Sequence, residues 1–204
     1  MSPDDLRAWM GDIDIYLFDQ ILRGRIPPAS RLLDAGCGGG RNLVYFLRNG
    51  YDVSAIDASA AAVASVRALA GRLAPEIPPE NFRNEPVERT TFADGAFNVV
   101  LSVAVLHFAT NESHFRAMLG EMWRLLRPGG MLFCRIASLI GMDERAVPTG
   151  NGRYHLPDGS DRFLVTEPML RDCARELGAR QLDPIKTVIV ENMRAMTTWC
   201  IEKI

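Results

Sequence analysis

The sequence predicts an α/β domain built on a parallel β-sheet. Two observations favour this class. An apolar strand over 31–35 leads into a glycine-rich loop, and a helical pattern, a second strand and a second helix follow in turn. The later segment 97–103 is almost continuously apolar, as expected for a strand whose two faces are covered by helices. The length of 204 residues suits one such domain.

The individual elements follow from hydrophobic periodicity and from breaker residues. Residues 3–24 carry apolar side chains at helical spacing, which predicts a helix or helix pair that Pro27 and Pro28 end. In the first half of the domain we expect a helix over 41–48, a strand over 52–57, a helix capped by Ser59 and running to about Leu73, and a weak strand near Phe82. In the second half we expect a strand over 97–103, a helix over 111–127, a strand over 131–137, a loop-rich stretch over 138–165, a helix over about 167–177, and a strand pair over 181–190 and 195–202. We expect residues 1–28 to form a helical segment or lid, and residues 29–204 to form a single domain.

Composition and charge exclude several classes of protein. The formal net charge is -2, which lacks the basic excess that phosphate binding usually requires, so we expect no nucleic-acid partner. The acidic, polar first residues are unlike a signal peptide, and the longest apolar run, residues 99–109, is too short to span a bilayer. No CxxC pair or zinc-ligand spacing occurs among the four cysteines, Cys37, Cys134, Cys173 and Cys200. We therefore expect a cytoplasmic protein without a membrane or metal partner.

The loop after the first strand is the most informative motif. It reads Asp34-Ala35-Gly36-Cys37-Gly38-Gly39-Gly40-Arg41. Glycines in such a turn let a ligand contact the backbone directly, at the sheet edge where cofactors dock in open α/β folds. A dinucleotide fingerprint would need a further glycine at position 41, where the chain has arginine. The pattern is instead DxGxGxG.

Five segments in order resemble the motifs of class I S-adenosylmethionine-dependent methyltransferases. They are LDAGCGGG (33–40), VSAIDAS (53–59), FADGAFNVV (92–100), LSVAVLH (101–107) and LLRPGGML (125–132). The resemblance implies a Rossmann-like, doubly wound, seven-stranded sheet of order 3-2-1-4-5-7-6 with strand 7 antiparallel. It also implies S-adenosylmethionine as cofactor, S-adenosylhomocysteine as product, and transfer of a methyl group to a small molecule. In layout the chain is similar to small tellurite-resistance and thiopurine-type methyltransferases.

The resemblance further implies which residues contact the cofactor. Gly36, Gly38 and Gly40 would admit its methionyl and ribose portions against bare backbone. Asp34 would lie near the ammonium group, in contact with it directly or through water, and Asp57 would accept the ribose hydroxyls. The other expected contacts are Cys37, Asn42, Ala58, and the backbone carbonyls of Ser102 and Val103.

The adenine contact departs from the family pattern, because Pro86 has no N–H to donate. We expect Glu85 or Glu88 to contact the adenine by side chain and Val87 to contact it by backbone.

The acceptor side rests on fewer signals. His107 is either a general base, an acceptor-orienting group, or an ordinary polar residue at a strand-to-helix junction. A thiolate or chalcogen oxyanion would need no base, whereas a neutral hydroxyl or amine would. Candidates to cover the donor or to attract an anionic acceptor are Tyr16, Phe18, Arg135, Arg153, His155 and Arg162. Three alternatives stay open: a non-catalytic S-adenosylmethionine-binding protein, a partner-activated subunit and a nicotinamide-dependent oxidoreductase.

Overall fold

The structure is a computed structural model that describes residues 2–204. Its helices are α1 (Pro3–Met10), α2 (Ile15–Leu22), α3 (Val44–Arg48), α4 (Ala60–Leu73), α5 (Glu112–Leu125) and α6 (Glu167–Glu176). Its strands are β1 (Arg31–Ala35), β2 (Asp52–Ile56), β3 (Phe82–Arg83), β4 (Phe97–Val103), β5 (Leu126–Ala137), β6 (Val147–Gly150), β7 (Arg153–His155), β8 (Asp161–Phe163), β9 (Ala179–Gln181), β10 (Lys186–Val190) and β11 (Arg194–Lys203). None of the helices among these residues has the length and apolar character that crossing a membrane requires.

The main sheet confirms the predicted strand order. Strands β3, β2, β1, β4 and β5 are parallel neighbours in that order, and β11 then pairs antiparallel with β5. Strands β9 and β10 both pair with the outer side of β11, so together they form one interrupted edge strand. Pro184 lies in the interruption, where a residue without an N–H is tolerated. Counting that edge strand as the sixth gives the order 3-2-1-4-5-7-6 with strand 7 antiparallel.

Helices cover both faces of this sheet, which explains its apolar strands. Alternate residues of a strand point to opposite faces, so Leu33 and Val100 join one core layer while Leu32 and Val99 join the other. The first layer includes Phe115 of α5, and the second is closed by residues of α2, α3 and α4. Asp34 of β1 is paired in register with Ala55 of β2 on one side and with Leu101 of β4 on the other. The carboxyl ends of these three strands therefore lie side by side between the two layers.

The structure differs from the sequence-based expectations in three segments. Residues 41–43 form turns ahead of α3, and β5 begins at Leu126 instead of Met131, with a register irregularity opposite Phe97. The stretch expected to be loop-rich contains a small antiparallel sheet of order β6-β7-β8. Strand β6 is exposed throughout, so it shows no alternation of apolar and polar residues from which a strand could be predicted.

The N-terminal helices are joined to the glycine loop by a hydrogen bond. Asp14 caps α2 by accepting from the Tyr16 N–H, and its own N–H donates to Asn42 Oδ1 at 3.0 Å. Asn42 is buried just after the loop. The expected helix pair thus packs beside the edge of the sheet where the loop lies.

Candidate functional site

A cavity of about 580 Å³ lies at the carboxyl ends of β1, β2 and β4. We call it the first cavity. Its wall includes most of the residues expected to contact a cofactor: Gly36, Cys37, Gly38, Asn42, Asp57, Ala58, Val87, Glu88 and Val103. It also includes Gly39, Arg41, Pro86, Ala104, Val105, Phe108, His114 and Met118. The fold therefore brings three separate sequence motifs together on one wall.

Asp57 connects the glycine loop to the tip of β2. One carboxylate oxygen, Oδ2, accepts from the Gly38 N–H at 2.9 Å, and Oδ1 accepts from the Ser59 N–H at 2.8 Å. Each carboxylate oxygen has a second lone pair, so the group retains capacity to accept hydroxyl donors from the cavity. The Ser59 hydroxyl accepts from the Ala62 N–H, which confirms its expected role as the cap of α4.

The three glycines of the DxGxGxG pattern have different surroundings. Gly38 has a φ of +51°, and a methyl group placed there would meet no atom of residues 2–204 within 4 Å, so this residue keeps the cavity open. A methyl group on Gly36 would lie 2.5 Å from Val105 Cγ2. At Gly40 it would lie 3.0 Å from Leu69 of α4, and Gly40 is absent from the cavity wall. Gly40 therefore packs against α4, and its expected contact with the cofactor stays a prediction.

Asp34 lies behind the cavity wall and not on it. The side chain is 1% exposed, and its Oδ2 finds no hydrogen-bond partner among the described residues. Burial raises the pKa of this carboxyl to about 7; the nearby Arg41 opposes that rise and Asp57 adds to it. The group is thus a buried acid two residues before Gly36, with one oxygen available to a donor.

Ser102 is also absent from the wall, although Val103 beside it is present. The two residues alternate across β4, and Ser102 is buried at 1% exposure with its hydroxyl unpartnered among residues 2–204. The Ser102 side chain therefore faces the core, and the expected contact through its backbone carbonyl stays a prediction. Beyond Val103, the wall continues through Ala104, whose φ is +63°, and Val105.

The segment after β3 contributes Pro86, Val87 and Glu88 to the wall of the first cavity. Of the two glutamates left open for the adenine contact, Glu85 is turned away, because it accepts from the N–H and the hydroxyl of Thr91. Glu88 lies on the wall, with Oε2 3.5 Å from His114 Nε2. His114 and Met118 were not foreseen as site residues. They are spaced i, i+4 on α5, a spacing that marks one helix face but does not distinguish a cavity wall from the core.

A second cavity, of about 410 Å³, adjoins the first. The two share Arg41, Ala104 and Phe108 as wall residues. The rest of its wall consists of His107, Arg135, Ala137, Leu156, Asp158, Ser160, Arg162, Arg194 and Met196. Arg194 was not foreseen, because in sequence it is only the end of a predicted hairpin turn.

Several candidates for the acceptor side have other partners. Arg153 lies off both walls and donates to the carbonyl of Ala109, while His155 pairs with Asp161 at the surface. Tyr16 packs under the Arg135 guanidinium at 4.5 Å, and Phe18 lines an apolar groove between α1 and α2. Neither aromatic residue lies on the wall of the first or the second cavity.

His107 is 6% exposed and its protonation follows from its contacts. The Ala137 N–H donates to His107 Nδ1 at 3.3 Å, so Nδ1 carries a lone pair and the ring proton of the neutral form lies on Nε2. Burial, and then the positive charges of Arg162 and Arg194, lower the His107 pKa to about 4. The side chain is therefore neutral near pH 7 and offers Nε2–H as a hydrogen-bond donor.

Comparisons with known proteins agree with this architecture. A family model described as a methyltransferase domain matches residues 33–134. A ubiquinone biosynthesis O-methyltransferase of Maricaulis maris is 30% identical over 160 residues, covering 76% of this chain and 61% of that protein. An uncharacterized methyltransferase of Synechocystis sp. is 30% identical over 106 residues, covering 52% and 46% of the two chains. This chain thus spans between about half and two thirds of the curated relatives it matches.

Solved structures share the fold at lower identity. The 1,6-didemethyltoxoflavin-N1-methyltransferase of Burkholderia thailandensis, solved with S-adenosylhomocysteine and its substrate, aligns with a TM-score of 0.71 at 22% identity. The alignment covers 98% of this chain and 82% of that one. A methyltransferase structure from Methanosarcina mazei aligns with a TM-score of 0.73 at 19% identity, covering 90% and 97% of the two chains.

Proposed function

The chain belongs to the class I S-adenosylmethionine-dependent methyltransferase family, and from that premise we propose that it transfers a methyl group from S-adenosylmethionine to a small-molecule acceptor. One observation carries the proposal: the first cavity lies at the carboxyl ends of β1, β2 and β4 and is bounded by Gly38 and the Asp57 carboxylate. Membership of this family sets aside the nicotinamide-dependent alternative.

The residues present fit the proposed cofactor. Gly38 leaves open space where a side chain would otherwise stand, which suits a ligand lying against the backbone. The unpartnered Asp34 Oδ2 is the kind of buried acceptor that an ammonium group would satisfy. In this proposal Asp57 accepts the ribose hydroxyls, and Val87 and Glu88 contact the adenine.

When bound, S-adenosylmethionine supplies an electrophilic methyl group: the acceptor's electron pair forms the bond to the methyl carbon while the C–S pair returns to sulfur. The protein's own contribution is to hold donor and acceptor in line, an effect that reaches roughly 7–11 kcal/mol in well-oriented systems. The second cavity adjoins the first across Ala104 and Phe108, so an acceptor bound there would lie next to the donor.

Calorimetry with S-adenosylhomocysteine tests the cofactor half of the proposal. We expect binding to the purified chain, and at least about tenfold weaker binding to Asp57→Asn, because one of the two carboxylate oxygens is replaced by a donor. Asp52→Asn is the matched control: Asp52 lies at the other end of β2, pairs with Arg31 at 2.9 Å and is far from the cavity wall. Undetectable binding to the unaltered chain, or equal affinity in both variants, would count against the proposal.

Turnover is tested by the release of S-adenosylhomocysteine from a panel of acceptors. The panel comprises thiols, selenite, tellurite, halides, small amines and small hydroxyl compounds. Several relatives bear the name O-methyltransferase, so oxygen nucleophiles are included on that ground. Cofactor binding without release for any acceptor would favour the non-catalytic or partner-activated alternative.

We also propose a cytoplasmic location. It is supported by the free, buried state of the four cysteines, which suits a reducing compartment.

A further inference from the structure

The second cavity has an excess of positive charge. Four arginines lie on its wall, against one carboxylate, that of Asp158, among the described residues. The rest of the wall is largely apolar, through Ala104, Phe108, Ala137, Leu156 and Met196. Such a wall suits a ligand with both an apolar body and a negative charge.

Two of the four arginines are already committed to the protein. Arg135 contacts Asp14 Oδ2 at 3.3 Å and donates to Thr198 Oγ1 at 3.0 Å. Arg41 donates to the Asp12 carbonyl at 3.0 Å and lies 4.0 Å from Asp14 Oδ2. The Asp14 carboxylate therefore offsets at most one of these two positive charges, and the hydrogen bonds hold both guanidinium groups against the segment before α2.

The other two arginines have weaker partners. Arg162 donates to the Asp161 carbonyl at 2.8 Å and lies over the Phe108 ring at 4.9 Å, contacts that leave most of its N–H groups available. Arg194 is 3.6 Å from Asp158 Oδ2, a distance beyond a good hydrogen bond. Both charges act on His107, whose pKa they help to lower. The arginines thus converge on the same region as the His107 ring.

We propose that the second cavity is the acceptor site and that it takes a small organic anion, a molecule with an apolar body and a carboxylate or comparable oxyanion. Arg162 and Arg194 hold the anionic group, and His107 donates from Nε2 to orient it. This inference rests on the proposed methyl-transfer function and deepens it by naming the class of acceptor.

The hydrogen bonding of His107 supports an acceptor that needs no base from this side chain. Its Nδ1 lone pair is used by the Ala137 N–H, which leaves Nε2–H as the group available to a ligand. A donor stabilises an anion, whereas it cannot remove a proton from a neutral hydroxyl or amine.

Paired ligands that share an apolar body and carry either a carboxylate or a neutral amide test the proposal. The probes are benzoate and benzamide, 2-naphthoate and 2-naphthamide, and hexanoate and hexanamide, titrated by calorimetry into protein saturated with S-adenosylhomocysteine. We expect at least one acid to bind at least about tenfold more tightly than its amide, since a hydrogen bond to a charged group is stronger than one to a neutral group. No preference for any acid, or no binding of any acid at millimolar concentration, would overturn the proposal.

Arginine variants locate the preference. In the double variant Arg162→Gln with Arg194→Gln, the preference for the acid over its amide should fall at least about threefold, with the affinity for S-adenosylhomocysteine unchanged. Arg127→Gln is the control, because Arg127 is exposed near the start of β5, at the opposite edge of the sheet. A preference of undiminished size in the double variant contradicts the assignment. Retained S-adenosylhomocysteine binding shows that the variant is folded.

Asp158→Asn provides a test in the opposite direction. Asp158 Oδ1 accepts from the N–H and hydroxyl of Ser160, whereas Oδ2 faces Arg194, so asparagine can keep the turn and remove the competing charge. We expect acids to bind up to about fivefold more tightly. That factor is the change in affinity that the free energy of one solvent-exposed ion pair would produce. Weaker binding of acids in this variant would contradict the proposal.

Two further results separate the possible failures. If S-adenosylhomocysteine does not bind to the unaltered chain, the proposed function itself fails. If it binds and only inorganic selenite, but none of the acids, associates with the cofactor-saturated protein, the function stands and the organic-acid inference is wrong.

Discussion

The buried carboxyl of Asp34 makes the stability of the fold depend on pH. Its pKa is raised from 3.8 to about 7, chiefly by burial, and its Oδ2 lacks a partner among residues 2–204. Between those two pH values the unfolded chain loses the proton while the folded chain keeps it. The contribution of this group to stability is therefore fully present below pH 3.8 and is lost as pH rises to about 7.

The size of the effect follows from the difference between the two pKa values. One pH unit corresponds to about 1.4 kcal/mol, so the free energy of unfolding falls by about 4 kcal/mol in total. About 2.5 kcal/mol of this lies between about pH 5 and about pH 7.5. Asp34→Asn has no ionisation at this position. Relative to the unaltered chain, we expect the variant to gain about 2.5 kcal/mol of stability over that pH interval.

Urea denaturation of both proteins at about pH 5 and about pH 7.5, without cofactor, measures this gain in the free energy of unfolding. Comparing one protein pair at two pH values cancels any pH-independent cost of the amide group. Asp52→Asn is the control: Asp52 is 47% exposed in its side chain and pairs with Arg31, so its pH-dependent change should stay below about 1 kcal/mol. A difference between Asp34→Asn and the unaltered chain that does not change with pH would refute the argument that burial keeps Asp34 protonated.

Three other predictions follow from the same region. At about pH 6.5, S-adenosylhomocysteine binding should release a proton from Asp34, because a nearby ammonium group favours the carboxylate form. The released proton is taken up by the buffer, so the calorimetric heat of binding should differ between buffers of different ionisation enthalpy. Identical heats would argue against proton release. Gly36→Ala should lower the free energy of unfolding by at least about 2 kcal/mol through the clash with Val105. Gly38→Ala should lower it by about 1 kcal/mol and should weaken S-adenosylhomocysteine binding at least about tenfold. Chemical denaturation and calorimetry measure both effects, and a larger loss of stability in Gly38→Ala than in Gly36→Ala would contradict the prediction. His107→Gln, which keeps a donor near Nε2, should retain at least about tenfold more turnover than His107→Ala with an acceptor identified by the panel; equal losses would favour a general base.

Local motifs were sufficient to predict the sheet and much of the first cavity. The loop 34–41, the Asp57 motif and the segment around Val87 each follow a predicted strand, and parallel strands end at the same edge. Their meeting therefore follows from strand order, without knowledge of side-chain packing. The cap at Ser59 is equally local, since it depends on residues three apart.

The sequence does not decide which single residues line the cavity, because that depends on which way each side chain points. Ser102 and Val103 are neighbours in the chain, but alternation across β4 puts only Val103 on the wall. Gly40 matches the motif, yet it packs against α4, where a methyl group would lie 3.0 Å from the Leu69 side chain. Glu85 and Glu88 are chemically alike, and the contact of Glu85 with Thr91 decides between them.

Periodicity within single segments determined the fold class from the sequence alone, and the resemblance carried by five local motifs implied the family and its strand order. The tertiary structure alone decided the charge of the second cavity. Arg162 and Arg194 are separated by 32 positions and belong to different sheets, and only packing brings them toward His107. It also decided the protonation of Asp34 and His107, since a pKa depends on burial and on neighbouring charges that chain order does not specify.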